Sequence, residues 1–179
     1  MSQTNELEIM ERIALDLEGV EESLASSFNT GAEDFNALIR PLSAAGGKRL
    51  RAQLCLLIAN AGTSVERQRI RIAEAVEMLH LATLIHDDVL DQAEIRRGEE
   101  TIHMHKGNKV AILSGDYLFA KAFQIVSEMP NMKYLQIFSH IITCLVEGEF
   151  MQMEDVYRID QGIERYMTKT QKKTADFME

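Results

Sequence analysis

VERQRIRIAEAVEMLHLATLIHDDVLD, residues 65–91, reads as one long helix and carries the strongest signal in the chain. Near its end stand Asp87, Asp88 and Asp91. At about 100° per residue, Asp87 and Asp91 lie about 40° apart on one face, with Asp88 at its flank. Three carboxylates there are locally unfavourable. Aspartate is a poor interior helix former, and like charges four residues apart cost roughly a few tenths of a kcal/mol. The negative end of the helix dipole adds to the penalty. A divalent cation reverses each of these effects. Mg2+ takes oxygen ligands, usually one or two carboxylates together with phosphate oxygens and water. The arrangement therefore suits a metal–diphosphate clamp; its plain alternative is a solvated acidic helix end.

Outward from this helix, Leu50 to Ala61 predicts a buried helix ended by Gly62, with Thr63 or Ser64 placed to cap the next one. Glu6 to Phe28 has apolar residues at Leu7, Met10, Ile13, Ala14, Leu17 and Val20, the three-four spacing of a helix face. Asp34 to Arg40 predicts a short helix stopped by Pro41, and Ser43 to Gly47 a loop of small residues. Ala93 to Gly107 is polar and predicts a connecting loop. Helices are expected over Lys109 to Glu128, Met132 to about Tyr157, and Gln161 onward, with Pro130 and Asn131 breaking the first pair. No segment alternates with period two. The expected fold class is all-α, in a single domain over residues 1–179 without repeat or linker.

Composition narrows the function classes. Hydrophobic residues at 46% and charged residues at 26% are globular values, and 179 residues suffice for a sizeable core. Nineteen Lys+Arg against 28 Asp+Glu give a net charge of -9, which argues against non-specific nucleic-acid binding. The apolar runs Leu54 to Ala59 and Ile137 to Val146 are too short or too polar to span a bilayer, so no transmembrane segment is expected. The acidic start MSQTNELEIMER lacks a signal-peptide core, and a cytoplasmic location follows as an expectation. Cys55 and Cys144 sit far apart in apolar contexts and read as buried thiols rather than a disulfide or metal ligands.

Basic groups flank the aspartates on both sides. Gly46-Gly47-Lys48-Arg49-Leu50-Arg51 precedes the long helix, and Glu94-Ile95-Arg96-Arg97-Gly98 follows it. Five of the 19 basic residues thus lie beside the densest acidic motif. Arg forks and Lys point charges pair with phosphate oxygens, and the helix beginning near Leu50 presents backbone N–H groups to an anion. Alone, each cluster reads more often as a solvated face; beside an aspartate trio, both read better as diphosphate cradles. His80 precedes Asp87 by seven residues, about 20° away on the same side of the helix. That shared face favours a ligand role over the usual structural one for a lone histidine. His86 reads either as a support for the motif or as a core residue.

GGKRLR, HLATLIHDDVLD and IRRG in this order resemble the trans-isoprenyl diphosphate synthase family, and within it bacterial component II chains of heptaprenyl or hexaprenyl diphosphate synthases. The likeness runs from about Leu38 to Thr174 and includes Gly115-Asp116-Tyr117-Leu118, Gly148-Glu149 with Gln152, and Lys173-Thr174. Ala52 departs from it, replacing the proline usual after the basic cluster. The resemblance implies a helical bundle of the isoprenoid synthase type, with Lys48, Arg51, His80 and Arg97 holding the diphosphate of isopentenyl diphosphate. It implies Asp87 and Asp91 as Mg2+ ligands supported by Asp88, and Arg96 with Lys173 and Thr174 on the allylic diphosphate. The implied reaction ionises the allylic diphosphate and adds the resulting cation to isopentenyl diphosphate. No side-chain nucleophile is required.

In this family, aromatic residues one turn before the aspartates plug the cavity and stop chain growth early. Small Ala82 and Thr83 here imply a medium- or long-chain all-trans product. A second aspartate-rich motif, which the family carries well after the Lys-Thr pair, does not occur before Glu179. Asp176 falls where the family pattern runs on with apolar residues, which implies an ending that is not a simple trim. The chain is therefore expected to correspond to about the first half of the bundle and to expose an apolar face that invites a homodimer or a second subunit. Two other readings stay open: a truncated relative that binds Mg-diphosphate without turnover, and a subunit that serves only in assembly. A terpene cyclase shares the aspartate motif but has no need for GGKRLR.

Overall fold

Residue spacing explains why the elements of the first part of the chain pack on the helix over residues 65–91. A computed structural model describes residues 3–28, 33–44, 47–62 and 65–178. The chain divides into two units, residues 1–128 and 129–179. The first contains α1 (Gln3–Ser27), α2 (Glu33–Ala44), α3 (Leu50–Ala61), α4 (Glu66–Leu90), a short hairpin of β1 (Ile95–Arg96) and β2 (Glu99–Glu100), α5 (Ile102–Lys106) and α6 (Asn108–Ser127). The second contains α7 (Lys133–Asp155), α8 (Ile163–Thr170) and a π-helical turn, Gln171–Ala175.

α4 is the hub of the first unit and packs on α1, α3 and α6. Its buried residues run nearly all round it, from Ala73, Ala75, Met78 and Leu79 to Leu81, Ala82 and Ile85. α6 meets it with a narrow stripe, Ala111, Ser114, Gly115, Leu118, Ala122, Ile125 and Val126, at helical three-four spacing. By length and composition α6 would suffice to cross a membrane; here its stripe lies against α4. Gly115 permits close contact. A Cβ at that position would stand 2.3 Å from His86 Nε2, whose ring lies near the Ile112 carbonyl (3.2 Å), Asp116 (3.4 Å) and Phe119.

α1 is joined to α4 by buried charge. Asp16 accepts two hydrogen bonds from Arg69, at 2.6 and 2.8 Å, and one from Asn60. Burial alone would raise the Asp16 pKa, but these bonds outweigh it and hold the carboxyl below its ordinary value. Further along, Ser23 and Ser27 each donate to Glu74 at 2.6 Å, and Arg71 pairs with the same carboxylate. These contacts ascend together along both helices, so α1 and α4 run parallel and α1 overhangs the start of α4. The overhang corrects the expected stripe: Leu7, Met10 and Ala14 are exposed, and burial begins at Ile13 and continues through Asp16, Val20, Leu24 and Phe28.

Other boundaries differ in instructive ways. Pro41 lies inside α2 rather than ending it, at the loss of one backbone hydrogen bond. Thr63 and Ser64 fall outside the described residues, and Val65 precedes α4 without a side-chain cap. The expected loop 93–107 is a hairpin followed by a helical turn. Arg97 (φ 54°) and Gly98 (φ 87°) both adopt left-handed backbone, the conformation that closes a two-residue hairpin. Cys55 and Cys144 are free thiols, and burial raises the Cys55 pKa to about 11.

Gly115→Ala should displace the His86 ring and lower stability by about 1–3 kcal/mol in urea unfolding, the range for overpacking a core. The double variant with His86→Ala should recover most of that loss. A Gly115→Ala protein as stable as the parent would contradict this account of the α4–α6 contact.

Candidate functional site

The loop before α3 is shaped by one inward-facing arginine. Arg49 adopts left-handed backbone (φ 44°). Its Nε and Nη2 donate to Glu21 at 2.6 and 3.1 Å, and its Nη1 to Glu77 at 3.3 Å. The other oxygen of Glu77 accepts the Ala52 backbone N–H at 3.1 Å. Two expectations change as a result. Arg49 is a buried structural residue, and an amide at the start of α3 already has an anionic partner.

Lys48, Arg51, His80 and Arg97 do converge: they line one cavity of about 250 Å3 with Gly47 and Glu77. A Cβ at Gly47 would come within 3.2 Å of both terminal nitrogens of Arg97, so glycine leaves room for that guanidinium. Arg51 Nη1 lies 3.2 Å from His80 Nε2. Arginine only donates, so Nε2 accepts and the proton of the neutral ring sits on Nδ1. Burial, then the charges of Arg51, Arg97, Arg96 and Arg49, lower the His80 pKa to about 4. Such a pocket stabilises an anion with several oxygens and resists any further cation.

Two turns along α4 stand the aspartates. Asp88 is buried, and its Oδ1 accepts Arg96 Nε at 2.6 Å. Asp91 is the exposed final cap of the helix, its N–H bonded to the Asp87 carbonyl at 2.8 Å, and Asp87 is half-buried. Among the described residues no three carboxylate, imidazole or thiolate groups form a closed metal cage. Two carboxylates one turn apart instead fit a hard cation that keeps most of its positions for water and phosphate oxygens. A second cavity, about 480 Å3, is lined by Leu38, Pro41, Leu81, Leu84, Ile85 and Ile102 together with Asp88, Arg96 and Arg97. Ala82 and Thr83 are not among its lining residues: Ala82 is fully buried, and Thr83 donates its hydroxyl to the His80 carbonyl at 2.8 Å.

In the second unit, Lys173 Nζ lies 2.5 Å from Glu149 and 3.1 Å from Gln152, while Thr174 is exposed. Gly148 lets the π-helical turn press onto α7, since a Cβ there would meet the Lys173 backbone nitrogen at 3.1 Å. The Gly148-Glu149, Gln152 and Lys173 signals are thus one local arrangement. Asp155 is clamped by Arg165 and Lys169, at 2.5 and 3.1 Å. Several apolar side chains stand exposed, Phe150, Met153, Ile163, Tyr166 and Met167 among them.

Glu77 is the residue of this site that the sequence reading misses. For Glu77 a signal existed: an acid within the apolar run AEAVEML, one turn before His80.

The family described as polyprenyl synthetase matches residues 32–179. Heptaprenyl diphosphate synthase component 2 of Geobacillus stearothermophilus is 37% identical over 161 residues, covering 89% of this chain and 50% of its own length. Octaprenyl diphosphate synthase of Escherichia coli is 33% identical, over 96% of this chain and 53% of that protein. A crystal structure of polyprenyl synthase from Caulobacter crescentus, complexed with calcium and isoprenyl diphosphate, superposes with a TM-score of 0.89 at 34% identity, over 94% of this chain and 52% of that one. The chain spans about half the length of the curated relatives it matches. With its helical architecture and this match over most of its length, the chain belongs to the polyprenyl synthetase family.

Proposed function

We propose that this chain carries the isopentenyl-diphosphate side and the first aspartate motif of a magnesium-dependent trans-prenyltransferase. The enzyme joins isopentenyl diphosphate to an allylic diphosphate and builds a medium- or long-chain all-trans polyprenyl diphosphate in the cytoplasm. One observation carries the reading: Lys48, Arg51, His80 and Arg97 share a cavity on the helix that bears Asp87 and Asp91 two turns further on. The names of the relatives, octaprenyl and heptaprenyl diphosphate synthases, support the substrate class.

Lys48, Arg51 and Arg97 hold the diphosphate of isopentenyl diphosphate by charge-assisted hydrogen bonds. Asp87 and Asp91 would hold magnesium, which when bound offsets charge on the departing diphosphate. Asp88 fixes Arg96 by its Nε, and the rest of that guanidinium is left to contribute to an allylic diphosphate; Lys173 and Thr174 are separate candidates for the same ligand class within the second unit. Ala82 and Thr83, one turn before Asp87, remain the candidates for setting chain length through their small size, although neither lines the larger cavity. The term "component 2" in one relative's name, and the exposed apolar residues of α7 and α8, support assembly with a second copy or a second subunit.

Incorporation of radiolabelled isopentenyl diphosphate tests turnover, and calorimetry with a non-hydrolysable allylic diphosphate tests binding. Binding without incorporation would assign the chain a diphosphate-holding role alone, and failure of both would overturn the proposal. Asp87→Ala should weaken magnesium-dependent binding by at least about tenfold, about 1.4 kcal/mol. In an active preparation Ala82→Phe should shorten the product on chromatography, and an unchanged length would remove Ala82 from the chain-length wall.

His80 gives a pH signature. Its folded pKa, about 4, lies below its ordinary value, so the unfolded chain binds the proton first. Stability should therefore decline as pH falls from about 6.5 to about 4. Bound diphosphate should raise the His80 pKa and make binding tighter toward lower pH across that window. Histidine NMR titration with and without isopentenyl diphosphate checks the sign.

A further inference from the structure

We infer that Glu77 is a positioning residue for the diphosphate cavity, holding the 47–51 loop in the one conformation that turns Lys48 and Arg51 toward His80 and Arg97. The inference rests on the diphosphate reading of that cavity. Glu77 is buried and lines the cavity, yet both of its oxygens are engaged by the loop. One accepts the Ala52 N–H at 3.1 Å and fixes the first turn of α3; the other accepts Arg49 Nη1 at 3.3 Å. Arg49 sits at φ 44°, a backbone region that non-glycine residues enter only when their surroundings impose it. Its guanidinium spans Glu21 on α1 and Glu77 on α4, so both helices impose it.

The consequence is a division of labour within Lys48-Arg49-Leu50-Arg51. The arginine at 49 turns inward and is neutralised, while Lys48 and Arg51 remain at the cavity with His80 and Arg97. Were Glu77 only a charge, it would weaken anion binding, because it opposes the cations lining the same space. As a positioning residue it strengthens that binding through geometry. The two roles predict opposite signs.

The test measures binding of isopentenyl diphosphate and of inorganic pyrophosphate to the full chain by calorimetry. It also follows the 15N shifts of the His80 ring without ligand. Glu77→Ala should weaken binding by tenfold or more and move the His80 shifts toward those of Arg51→Ala. Glu77→Gln keeps an acceptor for the Ala52 N–H and should fall between Glu77→Ala and the parent. Glu74→Gln, on the same helix and equally buried, should lose stability yet leave binding and the His80 shifts unchanged. Glu77→Ala with Arg49→Ala should be no worse than the weaker single variant, since the two act as one unit.

Equal or tighter binding by Glu77→Ala and Glu77→Gln, alongside loss of binding in Arg51→Ala, would overturn the positioning role and leave the diphosphate reading standing. If the unmutated chain binds neither diphosphate, both fall together. If Glu77→Ala fails to fold, the Glu77→Gln and Glu74→Gln comparison decides the question.

Discussion

The carboxylates of Asp16, Glu74 and Glu77 tie the first helix and the loop before the third to α4, and everything functional in the first unit is measured from that helix. Buried ion pairs contribute little net stability, because desolvation of two charges offsets most of their attraction. What they do confer is register. A carboxylate accepting from Arg69, or a pair of serines on Glu74, has few other places to go, and a slide by one turn would leave a charge buried without a partner. Hydrophobic contact alone would tolerate that slide. The Asp16 and Glu74 contacts set how α1 sits along α4, while Glu77 engages the basic loop, and His80, Asp87 and Asp91 follow at fixed intervals.

Much of this was legible from residue order. The bounds of α3 match the expected Leu50 to Ala61, and α4, α6 and α7 agree to within two residues at each end, because long helices with consistent periodicity leave little ambiguity. Lys48, Arg51, His80 and Arg97, which the resemblance assigns to one diphosphate, share one cavity. The misses have physical causes. Leu7 and Met10 have the right spacing, but spacing cannot reveal that the neighbouring helix starts too late to cover them. Pro41 lies within α2, against the local rule that a helix ends before a proline. Arg49 has the same side chain as Arg51, and only a backbone angle and two distant glutamates separate their fates.

Electrostatics also explain why this cavity remains compatible with a folded chain before any anion arrives. Arg49 is neutralised by Glu21 and Glu77, Arg96 by Asp88, and His80 remains uncharged near neutral pH. The cationic surplus is thus concentrated on fewer side chains than the sequence suggests.

The turn at Gln171–Ala175 has its own logic. Its closing bond runs from the Asp176 N–H to the Gln171 carbonyl at 2.9 Å, one residue wider than an α-helical turn. Neighbouring lysines thereby receive separate addresses on α7: Lys172 meets Glu147, and Lys173 meets Glu149. Excise a single amino acid from this stretch and an ordinary helix could close without a gap in its bonding. Every later side chain would nevertheless swing by about 100°. The length of this turn, as well as its residues, therefore fixes where Lys172 and Lys173 meet α7.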